Sequence, residues 1–122
     1  MVNILIVTSE MPYSDGWNNL LRKQGHTIKE VANNQEVLLH LEDFLPDVIL
    51  CEYRPTESLN CFELAKTLKQ DPIYGKYANT GIIGFGNLEY RLKPEDKLLV
   101  NNYLQTPASP NKLLMYIQDA LN

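Results

Sequence analysis

The chain has 122 residues, 44% of them hydrophobic and 21% charged, which is enough for one compact domain with a single core and leaves no room for a second. Its net charge is −4, from 11 Lys and Arg against 15 Asp and Glu with no basic run, a balance that argues against direct binding to nucleic acid. The start lacks the basic segment of a signal peptide and no apolar stretch approaches the ~20 residues of a membrane helix, so a cytoplasmic protein without membrane contact is expected.

Residues 3 to 8 carry the unbroken run Ile4-Leu5-Ile6-Val7, the composition of a strand buried on both faces. Asp15-Gly16-Trp17 opens a helix with Trp17, Leu20 and Leu21 at helical spacing, and Gly25 stops it. His26 to Ala32 alternates like an edge strand. Gln35 to Leu45 sets Val37, Leu38, Leu41 and Phe44 on one helical face, and Pro46 ends it before a strand over Asp47 to Glu52. Asn60 is an N-cap for a helix bearing Phe62, Leu64, Ala65 and Leu68. A strand over 81 to 86, a weak helix near 88 to 100 and a short strand over 102 to 105 follow. Ser109-Pro110 then launches a last helix with Leu113, Leu114, Ile117 and Leu121 inward.

Strands alternating with amphipathic helices predict an α/β fold in which helices cover both faces of a parallel sheet. Five strands and five helices give the flavodoxin-like three-layer sandwich, strand order 2-1-3-4-5, in one domain over residues 1 to 122. Any site then lies outside the carboxyl ends of the strands, at the switch point between strands one and three.

Three strand ends narrow the class. Ile4 to Val7 leads into Thr8-Ser9-Glu10, Asp47-Val48-Ile49-Leu50-Cys51 ends in Glu52, and Asn102-Tyr103-Leu104-Gln105 leads into Thr106-Pro107. Together they resemble the bacterial response-regulator receiver domain, whose motifs read roughly ILIV-Asp-Asp-Glu, DVILL-Asp and YL-x-Lys-Pro. The resemblance spans nearly the whole chain. It places Glu52 at the phosphoacceptor position, Thr8 and Ser9 at the Asp pair that holds magnesium, with Glu10 a matching acid, and Thr106 at the invariant Lys. Asn60-Cys61-Phe62-Glu63-Leu64 echoes the Asp-Gly-hydrophobic-Glu helix start, and Gly81 to Gly86 the Pro-Ile-Ile strand, so that Gly86 stands where a hydroxyl residue touches the phosphoryl group. The frame is that of a degenerate member, a pseudo-receiver.

Phosphotransfer needs a carboxylate nucleophile, a magnesium ion and a cation for the phosphoryl oxygens. Thr8 and Ser9 offer neutral hydroxyls where hard anionic oxygens are needed. Thr106 carries no charge, and Glu52 is one methylene longer than Asp, enough to displace the attacking oxygen by about an ångström and cost on the order of 100-fold. Glu52 therefore admits two readings, a permanent surrogate of aspartyl phosphate or a polar strand end, solvated or hydrogen bonded by Thr8, Ser9 or nearby amides.

Tyr103 matches the family's switching aromatic, but without a hydroxyl at Gly86 it is read as fixed and packed on the fourth helix. The face formed by helix 4, strand 5 and helix 5, with Tyr90, Arg91 and Tyr103, is the implied partner surface, either for a signalling protein or for a second copy. No catalytic residues, metal or cofactor are expected, since lone Ser and Thr side chains lack a positioned base. His26 and His40 are read as solvated, and Cys51 and Cys61 as reduced, semi-buried thiols.

The resulting expectation is a phosphorylation-independent interaction module of two-component-type signal transduction, not an enzyme. The competing reading is a small-ligand or flavin-binding protein that uses the strand-end crevice. Its loop Thr8 to Ser14 has no Gly before Gly16, and Pro12 removes a donor, which speaks against a phosphate cradle.

Overall fold

A computed structural model of the chain describes residues 2–7, 11–53, 59–86, 93–106 and 108–121, of which 11–15 are described by their backbone alone. Strands β1 (Asn3–Val7), β2 (Thr27–Val31), β3 (Val48–Glu52), β4 (Gly81–Gly86) and β5 (Asn102–Gln105) form one sheet in the order β2-β1-β3-β4-β5. Every pairing is parallel. Ile4 to Val7 and Val48 to Cys51 have no exposed surface, which is why the central strands read as unbroken apolar runs. Asp47 precedes β3 and ties its entry to β1, its carboxylate accepting the Asn3 N–H at 2.9 Å.

Helices α1 (Met11–Lys23) and α5 (Pro110–Leu121) cover one face of the sheet; α2 (Asn34–Phe44) and α3 (Cys61–Gln70) cover the other. The two-residue period of a strand sends Ile4 and Ile6 to the first face and Leu5 and Val7 to the second. On the first face Trp17 meets Phe85 edge-on, with centroids 5.0 Å apart, above Leu21, Leu104, Leu113 and Ile117. On the second, Val37 and Leu41 of α2 and Leu64 and Leu68 of α3 close over Ile49 and Ile82.

The helix starts follow from their polar residues. Asn60 accepts the N–H groups of Phe62 and Glu63, both at 3.0 Å, satisfying two donors that the first turn of α3 leaves open. Asn33 does the same for Glu36 at 2.9 Å, and the Glu36 carboxylate reaches back to the Ala32 N–H at 2.7 Å. Ser109 Oγ accepts the Lys112 N–H at 3.2 Å and starts α5.

Several boundaries differ from the sequence expectation. Helix α1 begins at Met11 rather than Asp15, because Pro12 falls in a first turn where a missing N–H costs nothing. The fourth helix, α4, is a single described turn, Pro94–Lys97, instead of a span over 88 to 100, of which 88–92 lie outside the described residues. Asn101 explains the early stop. It exchanges two 2.8 Å bonds with the backbone of Ile82, its N–H donating to the carbonyl and its side-chain oxygen accepting the N–H, so the chain must be extended by that point. Leu121, expected inward, is 38% exposed because the last turn of α5 runs past the core. His26 is half-buried and accepts the Val2 N–H through Nδ1 at 3.4 Å instead of being solvated. Cys51 and Cys61 are free thiols, as expected, but fully rather than partly buried.

Candidate functional site at the strand ends

The parallel sheet delivers Glu52, Gly86 and Thr106 to the carboxyl ends of three neighbouring strands. Glu52 closes β3 opposite Phe85, and the Tyr53 N–H prolongs that ladder with a 2.8 Å bond to the Phe85 carbonyl. Gly86 closes β4 opposite Gln105, and the Thr106 N–H donates to its carbonyl at 3.0 Å. Thr8, Ser9 and Glu10, expected beside them, and Tyr90 and Arg91 of the expected partner face, lie outside the described residues.

Burial revises the reading of Glu52 as a solvated acid. It is 7% exposed, and Thr106 is 4% exposed. A carboxylate withdrawn this far from water interacts with its surroundings in a lower effective dielectric, which strengthens both attraction and repulsion. The residue that follows β5, two strands away, is Thr106, which brings a hydroxyl and a methyl and not an ammonium.

Tyr103 is where the structure adds most. Its Cα pairs with that of Gly84, and a Cβ built on Gly84 would lie 3.0 Å from Tyr103 Cδ2. A Cβ on Gly86 would lie 2.8 Å from Tyr103 Oη, closer than such atoms approach. The two glycines share one face of β4 and form a bare strip that the ring fills along its length. Phe62 stacks on the same ring, with centroids 6.1 Å apart and planes at 21°, and Tyr53 lies 5.2 Å from Phe62. Tyr103 therefore packs on β4 and α3, because the glycine strip lies directly beside β5, and it shares a hollow with Lys97 of α4 and Val100; the rest of the expected fourth helix, 88–92, lies outside the described residues.

Gly84, Phe62 and Tyr53 were not singled out as site residues from the sequence. The signal was present in Gly84-Phe85-Gly86, where two glycines at strand spacing leave one face without side chains. Asn34 was missed as well: it is fully buried and donates from Nδ2 to the Leu59 carbonyl at 2.9 Å, tying the start of α2 to the loop that precedes α3. Among the described residues no three His, Cys, Asp or Glu side chains gather as a metal site. No described helix is long and apolar enough to cross a membrane.

No protein-family description and no curated protein sequence matches the chain. Solved structures do. The chemotaxis response regulator CheY4 of Vibrio cholerae superposes with a TM-score of 0.79 at 22% identity, covering 99% of this chain and 99% of that one. The signal receiver domain of a signal transduction histidine kinase from Syntrophus aciditrophicus gives 0.77 at 20% identity, covering 99% and 90%. NtrX from Brucella abortus gives 0.77 at 15% identity, covering 98% of this chain and 27% of that chain. At these identities the likeness establishes architecture, and with strand order and layering in agreement, the fold of this chain is that of a CheY-like receiver domain.

Proposed function

We propose that this chain is a receiver-type signalling module that works by protein–protein contact, without phosphorylation, catalysis or a bound cofactor, in bacterial two-component-type signal transduction. The receiver fold supports the signalling class. The observation that carries the finer reading is Thr106, buried at the end of β5 and joined through its backbone to Gly86. A phosphoryl group on Glu52 would bring two negative oxygens into a crevice where this strand supplies no ammonium and β4 supplies no hydroxyl. Thr8 and Ser9 add no carboxylate for magnesium.

What the chain retains is a rigid scaffold with surfaces. The face of α4, β5 and α5, with Tyr103 and, by sequence, Tyr90 and Arg91, offers aromatic and cationic anchors of the kind that dominate interfaces. Its partner is a signalling protein or a second copy of this chain. Affinity capture of the partner from the source cell, followed by binding measurements on two variants, tests the reading. Glu52→Gln should bind like the wild type, and Tyr103→Ala should lose about 1 to 3 kcal/mol. The reverse ranking, or a purified protein that is yellow or retains a small ligand by mass, moves the function into the strand-end crevice.

A further inference from the structure

The stretch from Glu95 to Tyr103 borders two hollows that share no lining residue. The first, beside Tyr103, is lined by Lys97, Val100 and residues 101–103 and belongs to the face already described. The second is a groove of about 460 Å³ between the outward side of α3 and residues 95–99. Glu63, Lys66, Glu95 and Asp96 stand around it, and Leu98 and Leu99 supply its apolar surface. Leu98 is 84% exposed, the highest value among the large apolar side chains of the described residues, while Leu99 is half-buried against the core.

A single exposed Leu carries no information on its own. Here it stands at a groove of ligand-site size whose rim, among the described residues, holds three carboxylates against one ammonium. Such a rim repels an acidic partner and attracts a basic one, and the apolar surface between the charges accepts a branched aliphatic side chain. The first hollow has the opposite character, with Lys97 as the one charged residue that lines it among the described residues, so charge sorts partners between the two.

We propose that the groove between α3 and α4 is a second docking surface, and that its occupant is a short basic amphipathic helix of another protein. Leu-type anchors from that helix lie against Leu98 and Leu99, and its flanking Lys or Arg side chains meet Glu63 and Glu95. The inference rests on the reading of the chain as a binding module, but it uses neither Tyr103, Tyr90 and Arg91 nor any residue of the strand-end crevice, and it shares no lining residue with the hollow beside Tyr103. Each can fail without the other.

The test uses the full chain, labelled with nitrogen-15, and three synthetic 15-residue peptides as probes: one with Leu at helical spacing and Lys on its flanks, the same peptide with every Lys changed to Glu, and a scrambled version of the basic one. The basic peptide should produce saturable amide shifts that cluster at Glu63, Lys66, Leu98 and Leu99, and binding should weaken as salt rises. Leu98→Ser and Glu95→Lys should each weaken it about tenfold. Both positions are outside the core, so an otherwise unchanged amide spectrum verifies the fold of each variant. Shifts spread over the whole acidic surface, equal binding of the Glu or scrambled peptide, or unchanged affinity in Leu98→Ser would overturn the proposal. So would a concentration-dependent dimer that Leu98→Ser abolishes, which would make a second copy the occupant.

Discussion

A side chain at Gly86 and the hydroxyl of Tyr103 would claim the same space: a Cβ on residue 86 would stand 2.8 Å from Tyr103 Oη. Gly84 repeats the relationship one pleat earlier, against Cδ2 of the same ring. The inward placement of Tyr103 is thus set by what β4 lacks. In a switching receiver, as the resemblance implies, a hydroxyl residue on this strand moves and the aromatic follows. Here nothing on β4 can move into the ring's place.

Substituting Gly86 with Thr should therefore displace the Tyr103 ring and lower stability by about 1 to 3 kcal/mol, the usual cost of overpacking. Urea unfolding gives the stability, and ring-to-ring proton contacts between Tyr103 and Phe62 report the displacement. In a double-mutant cycle, Tyr103→Ala should relieve part of the cost of Gly86→Thr, because the two residues share one space while the backbone at residue 86, with φ 159°, disfavours a side chain in either background. Additive effects would show that the ring is not what a side chain at 86 meets.

Glu52 separates shape from charge. Truncation to Ala removes buried volume at the end of β3 and should cost about 1 to 3 kcal/mol, whereas Gln keeps the shape and should cost less than about 1.5 kcal/mol. Thermal and urea melts of the two variants decide the matter. A larger loss in Gln than in Ala would mean that the ionised carboxylate itself is a structural element.

Magnesium and beryllofluoride should leave the strand ends unmoved. The expectation follows from hydroxyls at Thr8 and Ser9 and from Thr106 in place of an ammonium. Amide spectra recorded through a titration to millimolar magnesium, without and then with beryllofluoride, check it at Glu52, Gly86 and Thr106. Saturable shifts at those positions would restore a phosphorylation-competent site.

Acid should weaken the fold through His26. Burial lowers its pKa from the ordinary 6.5, and its Nδ1 accepts the Val2 N–H only while unprotonated. The unfolded chain then binds this proton more readily than the folded one, so stability rises with pH across the transition. His26 contributes fully above about pH 6.5, and the contribution is lost as pH falls through the lowered folded value. Denaturant midpoints between pH 7.5 and about 5 should decline in the wild type and decline less in His26→Gln. Parallel slopes would exclude the histidine as the source.

Much of the architecture was legible in the chain itself. Unbroken apolar runs marked β1 and β3, Asn60 and Ser109 marked helix starts, and β4 and β5 lay where their residues indicated, because strand and helix periodicity and capping are local properties of adjacent side chains. The resemblance of the three strand ends pointed to the receiver architecture, which strand order and the superposed structures bear out. The single turn of α4, the burial of Glu52 and the seat of Tyr103 were not legible in the same way. Each depends on register between strands: Asn101 must meet Ile82, Glu52 lies opposite Phe85, and Tyr103 lies over Gly84 and Gly86. The sequence by itself determined the five strands, the main helices between them and which residue types stand at the strand ends, but not the 3-10 helix over Pro72–Tyr77, which it presents as a loop. Tertiary structure decided which of those residues lose contact with water and which one fills the space that two glycines leave empty, because burial and contact are properties of neighbouring strands and helices packed together.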